Sequence, residues 1–227
     1  MNPSALPAQA TPATSLVKTL GLVSALCGVI IVGAYQGTYE AAAANRRLAL
    51  ERTVFKVVPA AKSMVEWQAT EQGIRPVGGD ASAGAIKFYA AYAADGSLAG
   101  IAVEGAAKGY ADVVRILYGY SPECQCVSGI GVVAMKETPG IGDKIVTDEV
   151  FLANFKALDV KLDQELARLA NEVTVVKQGS KTDAWQIDAI SGATVTSRAV
   201  GKAINDSAQA LLPKLLPEIE QLRKREP

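Results

Sequence analysis

The chain has 227 residues, with 23 Lys plus Arg against 23 Asp plus Glu, so it has no basic excess to neutralise a phosphate backbone, and nucleic acid is not expected as a partner. It contains no histidine, which rules out Ser/His/Asp and Cys/His triads, His-ligated zinc and His-ligated haem. Chemistry is left to carboxylates, hydroxyls, thiols, lysines or a borrowed cofactor, in one domain with an appendage or in two small domains.

Residues 1–18 are expected to be a flexible tail, since 1–15 is rich in Ala, Pro, Ser and Thr and has no charged side chain. Residues 19–39 are also uncharged but strongly apolar, with Leu20, Leu22, Val23, Leu26, Val29, Ile30, Ile31 and Val32. At about 1.5 Å per residue this run matches a bilayer core roughly 30 Å thick and predicts a transmembrane helix. Its small residues Gly21, Ser24, Ala25, Gly28 and Gly33 suit packing on neighbouring helices. A cleavable signal peptide could use Lys18, residues 20–32 and Ala42-Ala43-Ala44 as its three regions, but the length of the run favours an uncleaved anchor. Lys18 and the terminal amine precede the span and Arg46, Arg47 and Arg52 follow it, which by charge alone places the C-terminal part in the cytoplasm.

Residues 40–72 are expected to form a helical stalk, because Ala, Leu, Glu and Arg dominate and Leu48, Val54, Phe55 and Val58 recur at helical spacing, with a break at Pro59. Pro76, Gly78, Gly79 and Gly84 mark 73–84 as loop. From 86 to 133 the chain repeats at an offset of 29: segments 86–92 and 98–103, joined by a turn at Asp95-Gly96, are answered by 114–120 and 127–132. Both copies read as hairpins, with a glycine in the return strand that admits a bulge or a close backbone approach. Helical patterns follow over 148–158 and 162–171, short strands over 173–177 and 185–188, a helix over 196–212 and a charged helical end over 213–227. The expected fold class is α+β: one N-terminal transmembrane helix, then a domain over 73–212 with a twisted antiparallel sheet and flanking helices.

Of the three cysteines, Cys27 reads as a small hydrophobe in the apolar run. Cys124 and Cys126 would share one face of a strand. A bridge between residues two apart closes a tight ring, and a lone Cys-x-Cys is weak metal evidence. Ordinary buried or edge cysteines are the main expectation, with a redox pair or a shared metal as the alternative.

The segment Asp188-Ala189-Ile190-Ser191-Gly192-Ala193-Thr194-Val195-Thr196-Ser197 falls between an expected strand and an expected helix. A helix N-terminus there would aim free N–H groups at an anion, and Gly192 and Ala193 leave it room; alternatively Ser or Thr simply caps the helix. This segment looks like the flavinylation motif of the FMN-binding domain family. In that family the last residue of Ser-Gly-Ala-Thr, here Thr194, carries FMN through a phosphoester installed by a separate flavin transferase. The resemblance implies a cofactor site of Thr194 with Asp188, Ser191, Gly192, Ala193, Thr196 and Ser197, in which Asp188 serves transferase recognition or orders the loop. Glu137-Thr138-Pro139-Gly140-Ile141-Gly142-Asp143-Lys144 resembles the family's second signature, a turn near the isoalloxazine, and adds Glu137, Thr138, Gly140, Ile141, Gly142 and Lys144. The likeness covers roughly 63–212. The chain departs from the family pattern in having Ala134-Met135-Lys136 where a histidine is common, and in its Cys124-Gln125-Cys126 turn.

A threonine hydroxyl is a poor nucleophile, and without a histidine base the chain has no evident means of activating Thr194 itself, so an external transferase is expected. Size, single span and motif order are similar to the membrane-anchored flavin subunits of ion-translocating electron-transport complexes of the Rnf type, with the sodium-translocating NADH:quinone oxidoreductase type as near relative. That similarity implies electron relay through covalent FMN between other integral membrane and redox subunits of one complex. It also implies a domain on the periplasmic side of the cell inner membrane, against the charge count. The alternatives are a stand-alone membrane-anchored extracytoplasmic flavin reductase and a non-redox anchored assembly protein. The reductase should have an acid or cation cluster of its own, and none is evident beside the flavin motifs.

Overall fold

The structure, a computed structural model, describes residues 12–78 and 84–223. Most of the expected tail, Gly79 of the expected loop and the last four residues lie outside the described residues. The chain divides into two units, Met1–Leu48 and Ala49–Pro227.

Helix α1 (Ala13–Val57) starts at Pro12, whose carbonyl accepts from the N–H groups of Ser15 and Leu16. Residues 13–18 are therefore helical and not tail, because the apolar pattern extends back through Leu16 and Val17. Within α1 an 18-residue window reaches a mean hydropathy of 2.2 with no residue buried. By length and composition this helix can cross a membrane. Thr19 and Thr38 donate their hydroxyl protons to the carbonyls of Ser15 and Ala34, which satisfies these polar groups within the helix.

In the second unit, β1 (Ser63–Thr70), β2 (Gly73–Pro76), β3 (Ile86–Tyr92), β4 (Leu98–Lys108), β5 (Val113–Ser121), β6 (Cys126–Ala134) and β7 (Leu158–Asp159) form one sheet of order β2-β1-β3-β4-β5-β6-β7. Every adjacent pair is antiparallel. The internal repeat extends to its irregularities. Tyr92 pairs with Leu98 and Ala91 with Gly100, leaving Ala99 as a bulge; Tyr120 pairs with Val127 and Gly119 with Gly129, leaving Ser128 as the equivalent bulge. Each bulge precedes the glycine of its return strand, where the missing side chain lets the strand bend.

One sheet face receives residues 49–57 of α1. Val54, Val57 and Val58 pack on Tyr89, Ala91, Ala102 and Leu117. A Cβ at Gly119 would fall on the Val57 carbonyl and the Ser128 hydroxyl, and one at Gly131 would lie 2.5 Å from Thr53 Cγ2. The bulged Ser128 donates to the Val57 carbonyl at 2.9 Å and so satisfies an orphan acceptor at the helix end.

The other face carries α3 (Thr194–Leu215), whose Val200, Ala203, Ile204, Ala208, Leu211 and Leu212 enter the main core with Phe88, Ile116, Tyr118 and Tyr120. Gly105 admits the α3 backbone, since a Cβ there would lie 2.6 Å from the Ala203 carbonyl oxygen. A parallel pair, β8 (Thr174–Val176) and β9 (Gln186–Asp188), packs beside α3 and leads the chain into its N-terminus.

Several sequence expectations are corrected. The helical stalk ends at Val57, and 63–70 is strand β1, paired over seven positions with β3. The expected loop after it contains β2, a hairpin partner of β1 made possible by Gly73 at φ +114°. The helix over 148–158 shrinks to α2 (Glu149–Ala153), capped by Asp148 accepting from Phe151 N–H at 2.9 Å, followed by one 3-10 turn and β7. Residues 162–171 are not helical: Asp163 accepts from the N–H groups of Ala167 and Arg168, Leu166 adopts φ +55°, and Leu162 bridges Leu169. Asp163 thus offers the backbone an alternative to the helical ladder. Cys124 and Cys126 are neither separate thiols nor metal ligands but a disulfide across the β5–β6 turn, with Gln125 at φ +51° between them.

Candidate functional site

Three segments meet at one end of the sheet: the β4–β5 turn at 109–112, the segment after β6 at 137–142, and the start of α3. Pro139 and Gly140 occupy the centre of a tight turn in which the Thr138 carbonyl accepts from Ile141 N–H at 3.2 Å and Gly142 N–H at 2.9 Å. Gly140 has φ +76°, the conformation that a Pro-Gly type II turn requires.

Glu137 ties the three segments together. Its carboxylate accepts from Thr196 Oγ1 at 2.8 Å and from the N–H groups of Tyr110, Ala111 and Asp112 at 3.3, 3.2 and 3.5 Å. Partial burial pushes its pKa up, but the hydrogen bonds from Thr196, Ala111, Asp112 and Tyr110 outweigh that effect and hold it below the usual carboxylate range. Glycine is needed on both sides of it. A Cβ at Gly142 would lie 2.6 Å from Glu137 Cβ, and one at Gly109 would strike the Glu137 carboxylate.

Around this junction lies a cavity of about 460 Å³, within the roughly 300–1,000 Å³ typical of small-molecule sites. Tyr110, Thr138, Ile141 and Gly142 contribute from the first two segments, and residues 192–196 from the third, together with Glu137. Tyr110, Ile141 and Val195 are 72%, 48% and 47% exposed. Large apolar side chains left open around one cavity fit a flat, largely apolar ligand.

Thr194 is the first residue of α3, behind Ala193, and no side chain caps the helix. The capping alternative is therefore not realised. Ser197 is buried, accepting from Ile190 N–H at 3.1 Å and donating to the Ala193 carbonyl at 3.0 Å, and Thr196 is committed to Glu137. The half-buried Thr194 makes no hydrogen bond through its hydroxyl to another described residue. Gly192 before it has φ +83°, which glycine adopts without the Cβ penalty. A second cavity, about 330 Å³, shares Gly192 and Thr194 with the first and is bordered by Lys177, Gln178, Ser191 and Arg198.

Of the residues expected from the sequence, the structure gathers Glu137, Thr138, Ile141, Gly142, Gly192, Ala193, Thr194 and Thr196 around the first cavity. Ser191 borders the second. Gly140 stays at the turn tip, Lys144 is exposed and outside the lining, and Ser197 is buried. Asp188 orders a loop: its Oδ1 accepts from the N–H groups of Ser180 and Lys181, each at 3.0 Å. Sequence reasoning misses Tyr110, Val195, Lys177 and Arg198. For Tyr110 the available signal is an aromatic in a Gly-Tyr turn between two strands, where no core position calls for it. Lys177 and Arg198 form the cation pair that the linear sequence does not display, because 21 positions separate them.

The shape and lining suit a flavin: apolar side chains for ring faces, backbone brought close by glycine, and the Thr194 hydroxyl at the margin. The FMN-binding domain family matches residues 109–209. Over 208 residues the chain is 30% identical to the G subunit of the ion-translocating oxidoreductase complex of Haemophilus influenzae (strain PittEE), covering 88% of this chain and 94% of the relative. The protein of the same name from Methanosarcina acetivorans is 25% identical over 196 residues, covering 86% and 92%. The crystal structure of Shewanella oneidensis NqrC shares the fold, with a TM-score of 0.55 at 20% identity over 79% of this chain and 98% of that one. With its apolar N-terminal helix, antiparallel sheet and FMN-binding domain, the chain belongs to the family of ion-translocating oxidoreductase complex G subunits.

Proposed function

We propose that this chain is a membrane-anchored subunit of an ion-translocating electron-transport complex, and that it relays electrons through FMN joined to Thr194 by a phosphoester. The observation that carries the reading is Thr194 itself: a half-buried hydroxyl without a hydrogen-bond partner among the described residues, at the rim of a cavity whose apolar walls stand exposed. Tyr110, Ile141 and Val195 would cover the ring faces, Thr138 would meet the ring edge, and Gly142 lets the backbone approach. Bound FMN supplies the redox chemistry, and the chain supplies placement and electrostatic tuning. Glu137, held ionised by four donors, contributes a fixed negative charge beside the ring.

Attachment needs help from outside. The carboxylate that shares the cavity with Thr194, Glu137, is engaged with Thr196 and three backbone N–H groups, so it is a weak base and its lone pairs are already committed. A separate flavin transferase therefore forms the phosphoester, and Asp188 shapes the loop presented to it. The redox partners are other subunits of the same complex. The Cys124–Cys126 disulfide favours an oxidising compartment, and with it a periplasmic domain on a single-pass inner-membrane anchor. A stand-alone reductase would need a charged acceptor site at the ring, whereas Lys177 and Arg198 border the cavity that Tyr110 and Ile141 do not reach.

The test is flavin fluorescence of the denatured chain in a gel after maturation with transferase. Thr194→Ala loses the signal, and Thr196→Ala keeps it. Fluorescence retained by the Thr194 variant sinks the covalent reading.

A further inference from the structure

The two cavities that share Thr194 differ in charge. The larger has Glu137 in its lining and no cation; the smaller has Lys177 and Arg198 and no carboxylate. Neither cation has an ion-pair partner among the described residues. Arg198 also borders a shallower cavity with Lys202 and Asp206, but Asp206 is already paired with Lys202 at 2.7 Å. Lys177 follows β8 and Arg198 lies one helical turn beyond Thr194, so two different elements bring these charges to one hydroxyl.

We propose that Lys177 and Arg198 form the anion half of a split flavin site, holding the phosphate while the Glu137 cavity holds the neutral ring. The inference rests on the reading of Thr194 as the attachment residue. Electrostatics dictates the division. A phosphate placed in the first cavity would face an ionised carboxylate, and a like charge nearby costs free energy. In the second cavity the same phosphate meets a guanidinium and an ammonium, which give its strongest hydrogen bonds. Gly192 and Thr194 belong to both linings, so a flavin attached at Thr194 would have both cavities beside its point of attachment. The phosphodiester on Thr194 would then be neutralised without drawing on the groups that tune the ring.

FMN and riboflavin differ by that phosphate alone, which isolates the anion half. The experiment uses the full chain in detergent, produced without flavin transferase, titrated with each flavin and followed by fluorescence quenching. FMN should bind about tenfold more tightly than riboflavin, a modest value because both cations are exposed to solvent. In the double variant Lys177→Gln/Arg198→Gln the two flavins should bind alike, with riboflavin affinity unchanged. The pair Lys177→Arg and Arg198→Lys, which keeps both charges, should retain the preference. Equal or undetectable binding of the two flavins by the native chain overturns the proposal. So does a preference that survives in the double variant or disappears when the charges are kept. Thr194→Ala separates this proposal from the one beneath it: the variant should lose covalent flavin yet keep the FMN preference. Covalent flavin retained in Thr194→Ala refutes the attachment reading, while a charge-insensitive preference refutes the anion site alone.

Discussion

Glu137 holds the site geometry together, because one carboxylate fastens the β4–β5 turn and the first turn of α3 to the segment that carries it. Glu137→Gln keeps the shape but removes the charge that strengthens four donors, and should cost about 1–2 kcal/mol at neutral pH. The pH dependence follows from the direction of the shift. The folded-state pKa is held below the ordinary 4.5, so the stabilisation is fully present above 4.5 and is lost as pH falls through the depressed folded value. Unfolding of the full chain in detergent across pH 7 to 3 should show the native chain and Glu137→Gln converging in acid. A gap that stays constant over that range would mean the carboxylate acts by packing alone. At the same scale, the histidine-free composition stated at once which catalysts were absent, and the Ser-Gly-Ala-Thr and Glu-Thr-Pro-Gly strings marked both sides of the cavity. Lys177 and Arg198 stayed hidden because their proximity arises only when β8 packs beside α3.

Among the elements, the junction between α1 and the sheet depends on absent side chains. Gly119 lies under the Val57 carbonyl, and any Cβ there must displace a helix end that Ser128 also holds by a hydrogen bond. Gly119→Val should destabilise the second unit by roughly 3 kcal/mol, through overpacking against backbone that cannot rotate away. It should also expose residues 49–57 to limited proteolysis. A variant with native stability and native protease resistance would show that this contact is dispensable. The paired hairpins of β3–β6 were legible because their β-branched and aromatic runs repeat at a fixed offset and are divided by turn residues. Strand β1 was not, because Glu66, Gln68 and Ala69 carry helical propensity and the strand exists through pairing with β3, some twenty residues away. The loop at 162–171 escaped for a similar reason: Leu162 and Leu169 satisfy helical spacing, yet Asp163 captures the N–H groups that the helix would use. Periodicity reports which residues are apolar, and the competing local or long-range hydrogen bonds decide what they build.

For the whole molecule, two physical arguments bear on the compartment of the second unit, and they point in opposite directions. Arg46, Arg47 and Arg52 after the apolar run, against Lys18 before it, favour a cytoplasmic domain. The disulfide favours an oxidising compartment, since cytosolic thiol pools keep such pairs reduced. Stabilisation alone does not account for the bridge, because a ring spanning only Gln125 removes little freedom from the unfolded chain. The compartment is then the simpler reason for the cysteines being joined. The disulfide outweighs the arginine count because charge bias near one span is a weak determinant once other subunits pack against the helix, whereas thiol oxidation responds directly to the surroundings. A reporter fused after Pro227 should therefore be active only outside the cytoplasm. Acid trapping of intact cells with a thiol reagent should leave Cys124 and Cys126 unlabelled until a reductant is added. Cys124 is exposed on the β5–β6 turn, so a reductant that cannot cross the membrane should open the bond in spheroplasts. A cytoplasmic reporter together with two freely labelled cysteines would restore the arginine argument and require redox partners on the cytoplasmic side.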